Sequence, residues 1–573
     1  MTARQTKVEA AGEPAAVGLA VTLWLLAGAR LVHSFRPDMW GWGLSGERFV
    51  APWAGWALWA LPTVLLVPAL ARRAGAVLAR GGRAVIHAPG VPRVACAAVA
   101  AGLVLALPDR VRFVGDFLIR QGSVETARPP GVLFPQALPL DVFLHYRLPL
   151  FLSQAVGLGA NSFARGLGAV EAALLAWLAL EFARALKLRG AAAAAAAGIV
   201  FFGGYLGLFT GYSKAFSEMC LVTAWAGVAG VRAAREGRCL ASLALALAAG
   251  LFLHRGALLL VPGAAFALVA GFRRPEARER RRRPATLAAL GALAVALGIM
   301  VPRIVGIFLH VDVAAHLSSS EVQAGGGLLR SALAGTRGAD LLNLLVYLSP
   351  LSPAVPVLLA GLAARRALPA GAPGRVLALF ALPALVSIAL VHPVQGLFRD
   401  WDAFSAPAVS LSLFAAWLVG ETLTAAPRLA WLAAPALLAA AAPSVLWLVH
   451  DGDRDRGYAR VAAFLEGPPA RSEGVRARAL DFLGGSYFQL GRYGDAARAF
   501  AAEAELAPTA RTYLQWALSA ANGGDLVAAR EAYRRMVVAS PDAVAGWQGL
   551  GTVAWRLRDF SEALRAAKEL LRL

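Results

Sequence analysis

Apolar runs of membrane-crossing length, separated by short arginine clusters, recur from residue 15 to residue 449 and leave this chain few ways to fold. A membrane span needs about 20 mostly apolar residues. Such runs are read at 15–32, 51–71, 93–107, 164–184, 191–207, 217–232, 239–253, 256–272, 286–306, 341–363, 375–391, 404–421 and 428–449, giving thirteen predicted spans and an all-α membrane bundle. With 58% hydrophobic and 16% charged residues, the chain has too few charges to coat a soluble protein of 573 residues. A basic leader, MTARQTKVEA, precedes the first run, so a signal peptide cut at Ala27-Gly28-Ala29 is an alternative. The run continues through Leu31, and the span is read as retained.

A net charge of +21 in a soluble chain would point to nucleic acid, but these arginines fall between apolar runs. The clusters at 72–93, 184–189, 232–238, 273–283 and 365–375 all lie on one side under strict alternation, together with the tail 1–12. Positive residues mark that side as cytoplasmic. The expectation is a multi-pass protein of a bacterial inner membrane with no nucleic-acid partner. The bacterial assignment rests on Ala, Arg and Gly-heavy usage, with Lys7, Lys187, Lys214 and Lys568 the only lysines. Cys96, Cys220 and Cys239 show no metal or disulfide spacing and read as small core residues.

The opposite, outer side receives 34–50, 107–160, 208–216, His254-Arg255, 307–340, 392–403 and everything after 450. Its longest polar stretch, Leu107 to Arg147, interleaves Asp109, Asp116, Glu125 and Asp141 with arginines, and the apolar run Leu148 to Leu158 is too short to span and reads as a re-entrant or interfacial helix. Ionisable groups at span ends mark cavities or substrate paths, because they are costly in lipid. The outer ends collect Asp116, Arg120, Asp141, His145, Tyr146 and Arg147, then Tyr212, Lys214 and Glu218, then His254 and Arg255, then His310 and Asp312, then His392, Arg399, Asp400 and Asp402. Carboxylates suit proton removal from a hydroxyl; arginine, lysine and histidine suit a phosphate leaving group. Plainer readings stand beside these: Asp116 and Arg120 as an i,i+4 ion pair, Asp141 as a helix N-cap after Pro139, and RDWD at 399–402 as an interfacial anchor.

After Asp451 the composition changes. Gly491, Gly524 and Arg558 share one repeat position, Ala496, Ala529 and Ala563 another, and Pro508 and Pro541 end the first two units, a period of 33 to 34 residues. This resembles the tetratricopeptide repeat, which implies an α-solenoid of about three units over 456–573 and a surface for a partner or acceptor protein. A spacer or assembly role is the alternative.

The many spans, the acidic early outer loop, the short apolar helix after it and the later outer basic residues resemble the GT-C class of integral-membrane glycosyltransferases over about 13–450. The likeness is nearest to bacterial mannosyltransferase-like and RgtA/B/C/D-like members, some with C-terminal tetratricopeptide repeats. In many members the acidic loop follows the first span, whereas here 34–50 offers only Asp38 and Glu47 and the main loop follows the third. The resemblance implies inverting transfer from a polyprenyl-phosphate sugar donor at the outer face, with Asp116 as general base and Asp141 next in line. Arg255, Arg399, His254 and His392 would hold the lipid phosphate, with Arg120 and Lys214 beside them, and Asp400 and Asp402 would orient the arginines or contact the sugar. The cofactor stays open, since the class has members with and without a divalent metal and no spacing here requires one. An O-antigen ligase or polymerase-like enzyme and a non-enzymatic membrane-anchored repeat scaffold remain alternatives.

Overall fold

The computed structural model describes residues 3–87, 90–127, 134–277, 279, 283–364 and 371–573, without the side chains of residues 3–12 and of Asp116. Among the described residues every regular element is helical, and the chain divides into two compact units, Met1–Gly457 and Tyr458–Leu573.

In the first unit seven helices are long and apolar enough to cross a membrane: Glu13–Phe35, Ala160–Ala185, Arg255–Phe272, Pro284–Leu317, Ala372–Leu390, Trp401–Ala425 and Pro427–Asp451. Two bent pairs raise the number to nine if each is one span. Leu25, Val99, Ile299 and Leu382 are 68%, 73%, 60% and 62% exposed, an apolar exterior suited to lipid and poorly suited to water. Phe216–Glu236 packs against Ala160–Ala185, Leu240–Leu253, Val261–Phe272, Ala372–Leu390 and Ser405–Ala425, so it lies inside the bundle. Glycine permits the closest approaches: a Cβ on Gly168 would sit 2.2 Å from the Phe209 carbonyl oxygen.

The thirteen expected spans are not thirteen continuous helices. The run at 51–71 breaks into Pro52–Val64 and a second helix from Pro68 that turns by 88°, since a proline starts a helix readily but blocks its continuation. The run at 191–207 stops at Phe201, bends by 59° at Gly203-Gly204 and resumes as a tight turn, Gly204–Thr210. The run at 341–363 is two helices, Arg337–Leu348 and Ala354–Ala364. Their outer parts still lie at opposite ends of the first helix: Asn343 bonds the Trp40 carbonyl just beyond one end, and Gly361 meets Ala15 near the other. Val91–Ala106 and Leu240–Leu253 are helical over 16 and 14 residues, short for a span. The stretch 307–340, expected as a loop, begins as helix, because Pro284–Ile307 continues through wider turns to Leu317. Leu148–Val156 forms the short helix expected there, with Phe151 and Val156 exposed.

Two sets of polar contacts join distant segments. One joins the first-loop region to later loops: Trp42 donates to Asp340 (2.8 Å), His450 meets the Gly46 carbonyl (2.8 Å), and the amides of Arg110 and Val111 donate to the Asp451 carbonyl. The other joins the arginine clusters: Arg93, Arg184 and Arg232 converge on Glu181, Lys187 pairs with Glu236 (3.0 Å), and Arg274 donates to the Ala234 carbonyl. None of these contacts joins the two sets. The cluster at 365–375 lies partly outside the described residues.

The second unit is a row of helices, Glu473–Gln489, Tyr493–Leu506, Ala510–Asn522, Leu526–Ala539, Val544–Arg556 and Phe560–Arg572, each packed on the next. The turn inside each pair carries a residue at positive φ, Gly491 (71°), Gly524 (84°) and Arg558 (62°). Asp525 and Asp559 then cap the following helix by accepting from the amides of Ala528 and Glu562. Ala496 and Ala529 are fully buried where helices cross.

Glu503 lies buried in this row, accepts from the Thr512 hydroxyl, and is pushed up to about 7 by burial and then by Asp481. A carboxyl raised in the fold binds protons more tightly there than in the unfolded chain, so the stability it confers is present below its unfolded value of 4.5 and lost as pH rises through about 7. Glu503→Gln therefore stabilises the full-length protein's repeat unit by about 1–2 kcal/mol at pH 8, allowing for solvent screening, and by much less at pH 4. Unfolding followed on the tryptophans of this unit at the two pH values checks it.

Candidate functional site

The loop after Val91–Ala106 folds back on the bundle through its own short helix. Gly115, at φ +83°, reverses the chain, and Asp116–Glu125 follows with Asp116 as its first residue. One face of this helix is anchored: Phe117 stacks on Tyr212 (4.4 Å between rings), and the Gln121 amide donates to the Gly211 carbonyl and the Ser213 hydroxyl. Asp116 thereby stands at a helix N-terminus where unpaired amides favour an anion. Its side chain lies outside the described residues.

The guanidinium of Arg120, one turn on, reaches Asp141 at 2.6 Å and lies over the Phe134 ring. Asp141 is not an N-cap; Leu138 holds that position in Pro139–Val142, and Asp141 is 3% exposed within the helix. His145, one turn further, places Nε2 3.0 Å from Glu218 Oε1 and 4.0 Å from Asp141 Oδ1. A small cleft is lined by Arg120, Phe134, Asp141, His145 and Tyr146.

Three later loops add charge. Lys214 bonds Asp402 at 2.9 Å, with the carboxylate 1% exposed and its other oxygen accepting from the Ala403 amide. Arg255 pairs with Asp312 at 2.7 Å and keeps 27% of its side chain exposed. His254 turns Nδ1 toward the Gly256 amide and packs edge-on against Phe216. Burial, then the charges of Arg255, Arg120 and Lys214, hold the His254 imidazole well below the ordinary histidine range. The charges of three cations from separate segments therefore act on one imidazole.

Arg399 donates from Nε to the Phe113 carbonyl (2.9 Å), covers the Phe113 ring, and brings a guanidinium nitrogen within 3.4 Å of where a Gly115 Cβ would be. It therefore lies beside the turn that presents Asp116. An aromatic row, Trp42 to Phe398 to Phe113, leads away from it. Just beyond Trp42, Gly43 and Leu44 line a small, mostly apolar cleft of about 30 Å³ with Leu23, Leu26, Arg30, Val346 and Pro443. Tyr212 is buried and pushed well above the usual phenol range by burial and then by Asp109, Asp402 and Asp451; burial pushes Asp109 itself up to about 6.

Three expected members are placed differently. His392 bonds the Leu390 carbonyl and exchanges contacts with His316, and its imidazole is lowered by burial and then by Arg337, so its neighbours are not those of Arg255. Asp400 accepts from the Gln395 amide within its own loop, and Asp402 steadies a lysine where an arginine was expected. Glu171, on the apolar helix Ala160–Ala185, was missed; a carboxylate alone in an apolar run was the available signal. Among the described residues no three His, Cys, Asp or Glu side chains are grouped to hold a metal ion.

No protein-family model matches the chain, and no curated protein matches it.

Proposed function

We propose that the first unit is a GT-C-type glycosyltransferase that moves a sugar from a polyprenyl phosphate to an acceptor hydroxyl on the face bearing 107–160, outside a bacterial inner membrane. The observation that carries this reading is the set of three cations, Arg120, Lys214 and Arg255, from segments scattered over more than a hundred residues, whose charges all act on His254, beside a helix that presents an aspartate at its N-terminus. Each of these cations rests on a buried carboxylate, Asp141, Asp402 or Asp312, which fixes its position before any substrate arrives.

In the reaction, Asp116 accepts the proton of the acceptor hydroxyl as its oxygen attacks the anomeric carbon. The bond from that carbon to the phosphate oxygen breaks, its electron pair stays on the phosphate, and the configuration inverts. Arg255, with the least enclosed of the paired guanidinium groups, and Arg399 meet the departing phosphate. The polyprenyl chain lies against the apolar exterior of the bundle. The helix pairs of the second unit, with their 33 to 34 residue period and left-handed turns, support reading it as a tetratricopeptide-repeat module that presents a protein acceptor or partner.

The test is binding of polyprenyl phosphate to the reconstituted protein, followed by tryptophan fluorescence. Arg255→Ala is expected to weaken it by about tenfold or more, the contribution of a charge-assisted contact to an anion. Unchanged affinity would remove Arg255 from the phosphate site, and equal preference for the diphosphate would favour a ligase-like donor.

A further inference from the structure

Phe560–Arg572 packs on Val544–Arg556 through one face, where Ala566 and Leu570 join the core of the second unit. Another face carries a second apolar set. Phe560, Leu564, Ala567 and Leu571 recur on successive turns, a spacing that places them in one stripe along the helix. Phe560, Leu564 and Leu571 are 56%, 59% and 88% exposed. Trp555, at the end of the preceding helix, extends the stripe: its ring is exposed and meets Phe560 edge-on at 5.2 Å. A helix row bathed in water keeps such an outer face polar.

The free charge beside this stripe has one sign. Arg565, Lys568 and Arg572 line its flank on successive turns, and Arg556 and Arg558 lie exposed on the approach to the helix. The nearby acids are already engaged: Glu562 is buried against Arg534 (2.7 Å), Asp559 caps the helix and pairs with Arg530 (3.6 Å), and Glu569 meets Arg572 (2.7 Å). Aromatic rings and leucines beside a basic flank match a phospholipid surface, whose acyl region receives the stripe while anionic headgroups meet the flank. The chain also continues, between Gly457 and Tyr458, from a unit whose helices are long and apolar enough to cross a membrane. That tether keeps a bilayer at high effective concentration.

We infer that Phe560–Arg572, together with Trp555, is an interfacial helix that binds the surface of an anionic phospholipid bilayer. Membrane attachment of this helix goes beyond the sugar-transfer reading and does not depend on it.

The test is amide hydrogen exchange in the full-length protein, reconstituted in phosphatidylcholine and in an equal mixture of phosphatidylcholine and phosphatidylglycerol. Amides of 560–573 are expected to exchange about tenfold or more slowly in the mixture, because opening the helix there also costs its attachment to lipid. High salt is expected to shrink the difference by screening the flank. Leu564→Glu with Leu571→Glu is expected to abolish it, and so is Arg565→Glu with Lys568→Glu, which keeps the apolar stripe. All four positions are exposed, and unchanged exchange in Leu526–Ala539 reports that the unit remains folded. Equal exchange of the wild type in the two bilayers, or a difference that survives in either folded double variant, overturns the proposal. So does slowing that follows protein concentration and not phosphatidylglycerol, which would make the stripe a contact between protein chains.

Discussion

Asp116→Asn is expected to lower sugar transfer by about 10²–10⁴-fold, the usual contribution of a general base, while the protein stays folded. The amide matches the carboxylate in size but cannot take the acceptor proton. Because Asp116 opens the helix Asp116–Glu125, the loss of its negative charge at the N-terminus costs about 0.3–1 kcal/mol, too little to unfold the loop. Donor binding is expected to change little, since the phosphate contacts are assigned to Arg255 and Arg399, so the loss falls on the rate constant and not on affinity. Rates and melting of the two proteins, measured side by side, decide the matter. Transfer at the wild-type rate would place the base elsewhere, with Asp141 the next carboxylate to replace.

Asp402→Ala is expected to cost about 3–5 kcal/mol of stability, because it takes a buried carboxylate away from the largely enclosed Lys214 ammonium. The carboxylate is 1% exposed and also accepts from the Ala403 amide, so its removal unties Trp401–Phe404 as well. The double variant Lys214→Met with Asp402→Leu is expected to recover most of the stability, since apolar side chains of similar volume replace a buried pair at little net cost. It is not expected to recover transfer, because the positive charge near His254 is gone. Calorimetric unfolding of the single and double variants separates the two roles. Equal melting of Asp402→Ala and wild type would show the pair to be a minor contributor.

The sequence shows best what depends on composition and period. The helical unit with its apolar exterior followed from run length, and the helix pairs of the second unit followed from Gly491, Gly524 and Arg558 recurring at one position, all three at positive φ. Counting runs of apolar residues could not show where they break, because Pro68 and the Gly203-Gly204 pair change direction without changing hydropathy. The partners inside the site were hidden for another reason. Arg120 lies four residues from Asp116 and twenty-one from Asp141, and spacing favours the nearer acid; the fold brings the farther one to 2.6 Å. Arg255 and Asp312, or Lys214 and Asp402, belong to segments with no shared period, so only packing pairs them.

The most direct measurement of the central claim is the product balance of the wild-type protein in vesicles supplied with polyprenyl-phosphate sugars of several kinds and a mixture of hydroxyl acceptors. The account predicts that one donor is consumed, that free polyprenyl phosphate appears in equal amount to the glycosylated product, and that the new linkage has the inverted configuration. Consumption of none of these donors by folded protein, or release of a polyprenyl diphosphate from diphosphate-linked donors alone, would contradict it.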